Sequence, residues 1–284
     1  MIMLARWCIA VLACIPLLSG CTRQEKEPPI WEKVKIGDLA PKGQDQAHAG
    51  LNTTNLDIHV FQVPAGRVRD LRGLWDALNT KPFRYRNHQA FRSNAFRVAK
   101  GSLQQWDWIV GSLNGAGASR GSTVSMLLSG DGEDDVTVSP LGRSHKVTFM
   151  DKDGQSQQVA IGPGRLVFRL KTEKVASAPQ TRQLVAYPVF TVSAGGTVPK
   201  LAAMAKAKEV AFVTAAFSTP IRQGDILVLG PEDYYGDTST LGGLFFCDPQ
   251  GTLQIDSTAP RPVQLRRTVR VYVMVCTQLS GEGQ

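Results

Sequence analysis

The stretch FQVPAGRVRDLRGLWDAL at residues 61–78 carries the pattern that organises the first half of the chain. Its apolar and glycine positions recur 35 residues later in FRVAKGSLQQWDWIVGSL, at residues 96–113. The two leading apolar residues alternate, as on one face of a strand. After the shared glycine the spacing becomes that of one helix face, so the pattern predicts a strand–helix unit used twice. The matched pairs are Phe61 and Phe96, Val63 and Val98, Gly66 and Gly101, Val68 and Leu103, Leu71 and Trp106, Trp75 and Val110, and Leu78 and Leu113.

The predicted module around this repeat covers residues 51–133. Ser102 followed by Gln105 is a capping box and marks the start of the second helix. Any two amphipathic helices share this spacing, so chance matching of apolar residues is the alternative to a true repeat. The module is βαββαβ-like, with strands predicted at 56–63, 83–86, 95–100 and 123–128 and helices at 68–79 and 103–114.

From residue 134 the pattern is that of a β protein. Short runs of β-forming residues are separated by turn residues such as Asp153-Gly154, and residues 199–208 predict one short helix. We therefore predict an α+β fold in which the module is followed by a sandwich or barrel-like β-rich domain at 134–284. The last predicted strand is apolar on both faces, which is typical of a central strand. The predicted strands are 135–138, 146–150, 157–161, 166–170, 184–192, 210–217, 225–229, 241–246 and 269–275.

Residues 1–20 have the composition of a signal peptide. Arg6 supplies the positive charge, and the apolar run at 7–18 is shorter than the roughly 20 residues that span a bilayer as a helix. The run ends in Leu18-Ser19-Gly20-Cys21, which resembles the lipobox of bacterial lipoprotein precursors. An ordinary secretory signal or an uncleaved membrane anchor is the alternative.

The lipoprotein resemblance implies a mature chain that begins at Cys21. It implies a diacylglyceryl group and palmitate-type acyl chains on Cys21, and two or three chains make a stable anchor in membrane lipid. The next residue is Thr22 rather than Asp, which favours the outer membrane, facing the periplasm. Residues 21–50, with their mixed charges and Pro28-Pro29, predict a tether.

Positive charge is concentrated in the predicted module. The formal net charge is +8, and nine basic residues but only Asp70 and Asp76 lie between Arg67 and Lys100. This distribution favours an anionic envelope polymer or an acidic envelope protein complex as partner, and no nucleic acid is expected outside the cytoplasm. A solvated face of half-buried strands is the alternative. The candidate anion-binding residues are Arg67, Arg69, Arg72, Arg84, Arg86, Arg92 and Arg97.

Two cysteines remain in the mature domain, Cys247 and Cys276. In an oxidising compartment they could form a disulfide, provided that their Cα atoms lie within about 7 Å. If their strands formed a simple hairpin, Cys247 would face a residue near Val263. The alternative is two buried free thiols that pack as small apolar side chains.

No catalytic, metal or cofactor site is predicted. Gly117 to Gly121 match G-x-S-x-G, but the predicted helix precedes Ser119 and the strand follows it, the reverse of a nucleophile elbow. The histidines are not spaced as metal ligands. We expect a non-enzymatic structural or binding component of a cell-envelope assembly, anchored through Cys21. One alternative is an envelope hydrolase whose site is assembled from scattered residues. Another is an accessory protein of a secretin or pilus system, since the element order of the module resembles the ring-building domains of secretins.

Overall fold

The computed structural model describes residues 52–130, 132–192, 203–204, 206–234, 239–255 and 263–280, with backbone alone at 249–255 and 263–266. The predicted signal peptide, Cys21 and tether lie outside the described residues, as does part of the helix predicted at 199–208. Residues 203–204 and 206–207 of that stretch are helical. Among the helices of the described residues, none has the length and apolarity needed to cross a membrane.

Strands dominate the described part of the chain. The helices are α1 (Arg72–Ala77), α2 (His88–Ser93), α3 (Trp106–Gly115) and α4 (Leu241–Phe246), with 3-10 turns at Ala65–Leu71, Leu103–Gln105 and Val213–Ala215. The strands are β1 (Thr53–Pro64), β2 (Arg84–Tyr85), β3 (Phe96–Ser102), β4 (Ser119–Ser129), β5 (Glu133–Leu141), β6 (His145–Met150), β7 (Ser156–Ile161), β8 (Gly164–Lys174), β9 (Arg182–Thr191), β10 (Val210–Ala211), β11 (Phe217–Ile221), β12 (Asp225–Pro231), β13 (Cys247–Ile255) and β14 (Val263–Ser280).

The named strands form antiparallel sheets. The first sheet has the order β3-β12-β14-β1-β4, with β13 added on β14. The second has the order β2-β11-β9-β8-β5, with β10 added on β9, and β6 pairs with β7 as a hairpin. The turn of this hairpin contains Gly154 at φ +76°, a backbone conformation that glycine adopts without steric cost. Strand β14 lies between β12 and β1, which confirms that the last strand is central.

Apolar side chains on both faces of the first sheet form two cores. The inner core lies between the two large sheets, where the rings of Tyr272 on β14 and Phe168 on β8 are 5.2 Å apart. The outer core lies between the first sheet and helices α1 and α3, and it includes Trp75. Gly230 on β12 leaves room for Trp75, since a Cβ atom there would lie 3.2 Å from the indole ring. The fold is therefore α+β and rich in antiparallel sheet.

The two sequence repeats have similar local structure, since β1 and β3 are each followed by a 3-10 turn and a helix. The capping box of Ser102 and Gln105 is present as predicted. A separate repeated module is not shown, and it stays a prediction. Strand β1 pairs with β14 and β4, whereas β3 pairs with β12, so strand pairing crosses the boundary predicted at residue 133. The described residues all belong to one compact unit.

Two predicted strands are wrong. Residues 241–246 form helix α4. Thr240 caps this helix, and its hydroxyl accepts a hydrogen bond from the Gly243 amide at 3.2 Å. All six residues of α4 are buried. A short run without polar residues shows no periodicity, so its sequence does not distinguish a helix from a strand. The single strand predicted at 210–217 is replaced by two short strands, β10 and β11, which are separated by the 3-10 turn at Val213–Ala215.

Candidate functional site

The structure separates the predicted anion-binding arginines into two groups. One group lies on the 3-10 turn before α1 and on α1 itself, and the other on β2, α2 and β3. Arg92 and Arg97 of the second group line a cleft. The arginines with a carboxylate neighbour are Arg67 (Asp70, 2.9 Å), Arg69 (Asp233, 3.7 Å), Arg92 (Glu232, 2.7 Å) and Arg97 (Asp76, 3.5 Å), while Arg72, Arg84 and Arg86 have exposed side chains.

The cleft has a volume of about 350 Å³, within the size range of small-molecule sites. Strand β2, helix α2 and strand β3 form its walls together with the segment that follows β12. Both charged and aromatic side chains reach it. The residues on which the following argument depends are Tyr85, His88, Phe91, Arg92, Arg97 and Glu232.

Two asparagines hold α2 in place beside the cleft. The Asn87 side chain caps the helix by accepting a hydrogen bond from the Ala90 amide at 2.9 Å, and it donates to the carbonyl of Lys152 at 2.8 Å. Asn94, which is buried, donates to the carbonyl of Met150 at 3.0 Å and accepts from its amide at 2.7 Å. Both ends of α2 are thus hydrogen bonded to the β6–β7 hairpin, which fixes the position of the cleft wall that carries Arg92.

Both arginines that line the cleft have a carboxylate neighbour. Arg92 pairs with Glu232 at 2.7 Å, and Arg97 lies 3.5 Å from Asp76. The Arg97 guanidinium lies 5.3 Å from the centre of the Trp75 ring, which holds its position through a cation–π contact. An anion in the cleft could be bound by both guanidinium groups, and charge-assisted hydrogen bonds of this kind are the strong ones.

Aromatic rings form one side of the cleft. The Tyr85 ring lies 4.9 Å from the His88 ring and 4.7 Å from the Phe91 ring. Burial raises the pKa of Tyr85 to about 12, so its phenol stays neutral at physiological pH and can donate a hydrogen bond. Guanidinium groups, a phenol and an aromatic wall together fit a ligand with an anionic group on a compact body. The sequence predicted the arginines but missed α2, whose start is signalled by Asn87.

A second polar cluster lies on β1 and β4. Nδ1 of His59 accepts a hydrogen bond from Nη2 of Arg120 at 2.7 Å and lies 3.0 Å from the Thr123 hydroxyl. Burial, aided by the Arg120 charge, lowers the pKa of His59, so the imidazole stays neutral. Ser119 begins β4 directly after α3, which is not the strand–turn–helix order of a nucleophile elbow.

Cys247 and Cys276 are free and buried. Cys247 lies opposite Val269 on β14, seven residues from Cys276, or roughly 23 Å along the strand. A disulfide needs Cα atoms within about 7 Å, so this arrangement does not bring the two thiols together as the disulfide hypothesis requires. Burial raises the pKa of Cys247 to about 11 and that of Cys276 to about 12.

Comparison with known proteins gives little. No protein-family model and no curated protein matches the sequence. Among solved structures, the chain is similar to the InvG secretin domain β-barrel from the Salmonella SPI-1 injectisome NC-base, at 10% identity and a TM-score of 0.20, over 83% of this chain and 63% of that chain. The V. cholerae type IV competence pilus secretin PilQ gives 9% identity and a TM-score of 0.13, over 79% of this chain and 55% of that one.

The chain thus spans less than two thirds of the length of these secretins. Secretins are the class of assembly named by the third hypothesis above. At such TM-scores, however, the similarity carries no argument about the fold or the function of this chain.

Proposed function

We propose that the chain is a bacterial lipoprotein of the cell envelope, anchored through Cys21 in the outer membrane and facing the periplasm. Its folded domain acts as a non-enzymatic binding or structural component of an envelope assembly. The observation that carries the proposal is Leu18-Ser19-Gly20-Cys21, placed after an apolar run too short to span a bilayer. The acyl chains on the cysteine supply the anchor, since one chain alone binds a membrane only marginally.

The cleft supports the binding part of the proposal. Arg92 and Arg97 line it, and Arg84 and Arg86 lie exposed on and beside β2, next to Tyr85 of the cleft wall. These cations favour phosphate or carboxylate groups of an anionic envelope polymer, or an acidic surface of an envelope protein. The side chains that line the cleft supply charge and hydrogen-bond donors, which suit binding.

The anchor is tested by mass spectrometry of membrane fractions. The wild-type chain is expected in the outer membrane with acyl chains on Cys21, and Cys21→Ala is expected to lose both the acylation and the location. Cys14→Ala is the matched control, because it changes a cysteine that leaves with the signal peptide. A wild-type chain that is unmodified and free in the periplasm would refute the lipoprotein assignment.

The anion site is tested with the mature lipidated chain in detergent, by sedimentation with purified peptidoglycan and by titration with lipopolysaccharide. The double substitution Arg84→Gln and Arg97→Gln is expected to weaken binding by at least about tenfold, which corresponds to ~1.4 kcal/mol. The control, Arg143→Gln with Lys146→Gln, removes the same charge from exposed positions in the β5–β6 loop and at the start of β6. Equal losses in the two variants would show general charge attraction and no role for the cleft.

A further inference from the structure

Strand β4 leaves one edge of the first sheet open. Among the described strands it pairs only with β1, and it ends the strand order of that sheet. Its residues from Ser119 to Ser125 are all exposed, on both faces of the strand. Two apolar side chains of β4 are also exposed, Val124 at 42% and Leu127 at 62%. A strand in this position presents a row of unpaired amide and carbonyl groups, which can accept another strand.

Two other described edges are protected. At the opposite end of the same sheet, the backbone of Asn79 exchanges two hydrogen bonds with Lys100 of β3, at 2.9 and 2.8 Å. At the edge of the second sheet, β5 carries Glu133, Asp134 and Pro140 and has an irregular register. Charges, proline and bulges are the usual devices that prevent edge pairing.

Most of β4 carries no charged side chain that would repel an incoming strand. Arg120 is its one charged residue, and its guanidinium is already bound to His59 on β1. The β1–β4 ladder shifts register between His59 and Phe61, opposite residues 120–123. Residues 123–129 are thus a regular, uncharged and open stretch of edge.

We propose that β4 pairs antiparallel with β4 of a second copy of this chain. Pairing of a strand with itself about a two-fold axis forms a closed, isologous dimer. With the axis at Met126, Val124 would lie opposite Leu128 and Leu127 opposite Ser125, and no two charges would face each other. In antiparallel sheets, pairs of apolar side chains on neighbouring strands are favourable, and so are hydrogen bonds between serine and threonine hydroxyls. The two first sheets would then be continuous across the dimer.

The pairing is tested in membranes that hold the full wild-type chain or variants with one added cysteine, since Cys247 and Cys276 are buried. After treatment with a short bis-maleimide, dimers are expected from Ser125→Cys and from Leu127→Cys, whose two copies would be only two residues out of register. Little dimer is expected from Thr123→Cys or Ser129→Cys, because their two copies would lie roughly 20 Å apart along the strands. Ser144→Cys, exposed in the β5–β6 turn, is the control and is expected to give none. Cross-linking of β4 to another protein, or to another segment of its own chain, would overturn the proposal.

A second measurement uses sedimentation of the detergent-solubilised chain. Val124→Lys places two positive charges at the paired edges and is expected to weaken the dimer by at least about tenfold. Val124→Thr keeps the shape and is expected to leave it unchanged. A wild-type chain that is monomeric at every concentration overturns the inference. That result would leave the lipid anchor and the anion site untouched, because neither depends on β4.

Discussion

Replacement of Tyr272 by phenylalanine is expected to stabilise the protein. Tyr272 lies on β14 in the inner core and is almost completely buried. Its hydroxyl has no hydrogen-bond partner among the described residues. A buried polar group without a partner destabilises the folded state by about 1–3 kcal/mol, so removal of the oxygen is expected to recover an amount in that range. Burial also raises the pKa of Tyr272, as expected for a phenol that cannot be solvated as an anion.

The ring itself must be kept, because it contacts Phe168 at 5.2 Å and Phe246 at 6.4 Å between ring centres. Tyr272→Phe retains both contacts, whereas Tyr272→Ala is expected to lose about 3–5 kcal/mol. For a folded unit of this size, each kcal/mol corresponds to about 2–4 °C in Tm.

Urea unfolding and calorimetry of residues 22–284 measure the change in the free energy of unfolding. Tyr85→Phe makes the same chemical change at a half-buried position and is expected to alter the free energy by less than about 0.5 kcal/mol. A Tyr272→Phe protein that is less stable than wild type by 1 kcal/mol or more would refute the reasoning. It would show that the hydroxyl is hydrogen bonded in the folded protein.

Three further predictions concern buried polar groups. The pKa of His59 is lowered from 6.5, so below this pH the unfolded chain binds a proton that the folded chain does not. The stability of the wild-type protein is therefore expected to fall as the pH drops below about 6.5. In pH-dependent urea unfolding, His59→Gln is expected to show a shallower fall. Arg169 binds Asp135 through two nitrogens, at 2.8 and 3.0 Å, and also binds Glu209. Because the Asp135 side chain is 31% exposed, solvent screens the pair, and Arg169→Met is expected to cost about 1–3 kcal/mol in the same assay. A loss below about 0.5 kcal/mol would contradict this. The two thiols of residues 22–284 are expected to react with a thiol reagent in denaturant and only very slowly in the folded protein, and fast native labelling would contradict their burial.

Sequence patterns located most strands because each has one clear period. Three of these signals are local: the alternation through Phe61 and Val63, the helix spacing after Gly66 and the capping box at Ser102. The local structure agrees with each of them. Helix α4 escaped because six consecutive buried residues show no polar face. Gly242 there packs against the carbonyl of Asn94, where a Cβ atom would lie 2.5 Å away, and such a long-range contact leaves no local pattern.

The arginines of the candidate site could be predicted from the sequence, but the cleft could not, because it also depends on long-range contacts. Charge density along the chain identified Arg92 and Arg97, since both lie in one basic segment. The cleft itself depends on Glu232, which lies 140 residues after Arg92 in the sequence and reaches it through the pairing of β3 with β12. A two-residue strand and a six-residue helix complete the walls, and neither is long enough to show a period.

The pairing of β1 with β14 has a consequence for biogenesis. The first and last described strands meet in twelve register pairs, between residues that are at least 204 positions apart along the chain. Contacts between such distant residues slow folding, because a long loop must close before they form. Strand β1 must therefore wait until β14 is available, and its apolar residues need shielding until then. A premature stop before Val263 would remove the middle of the first sheet and leave an unfolded chain for proteolysis, with no smaller folded N-terminal half.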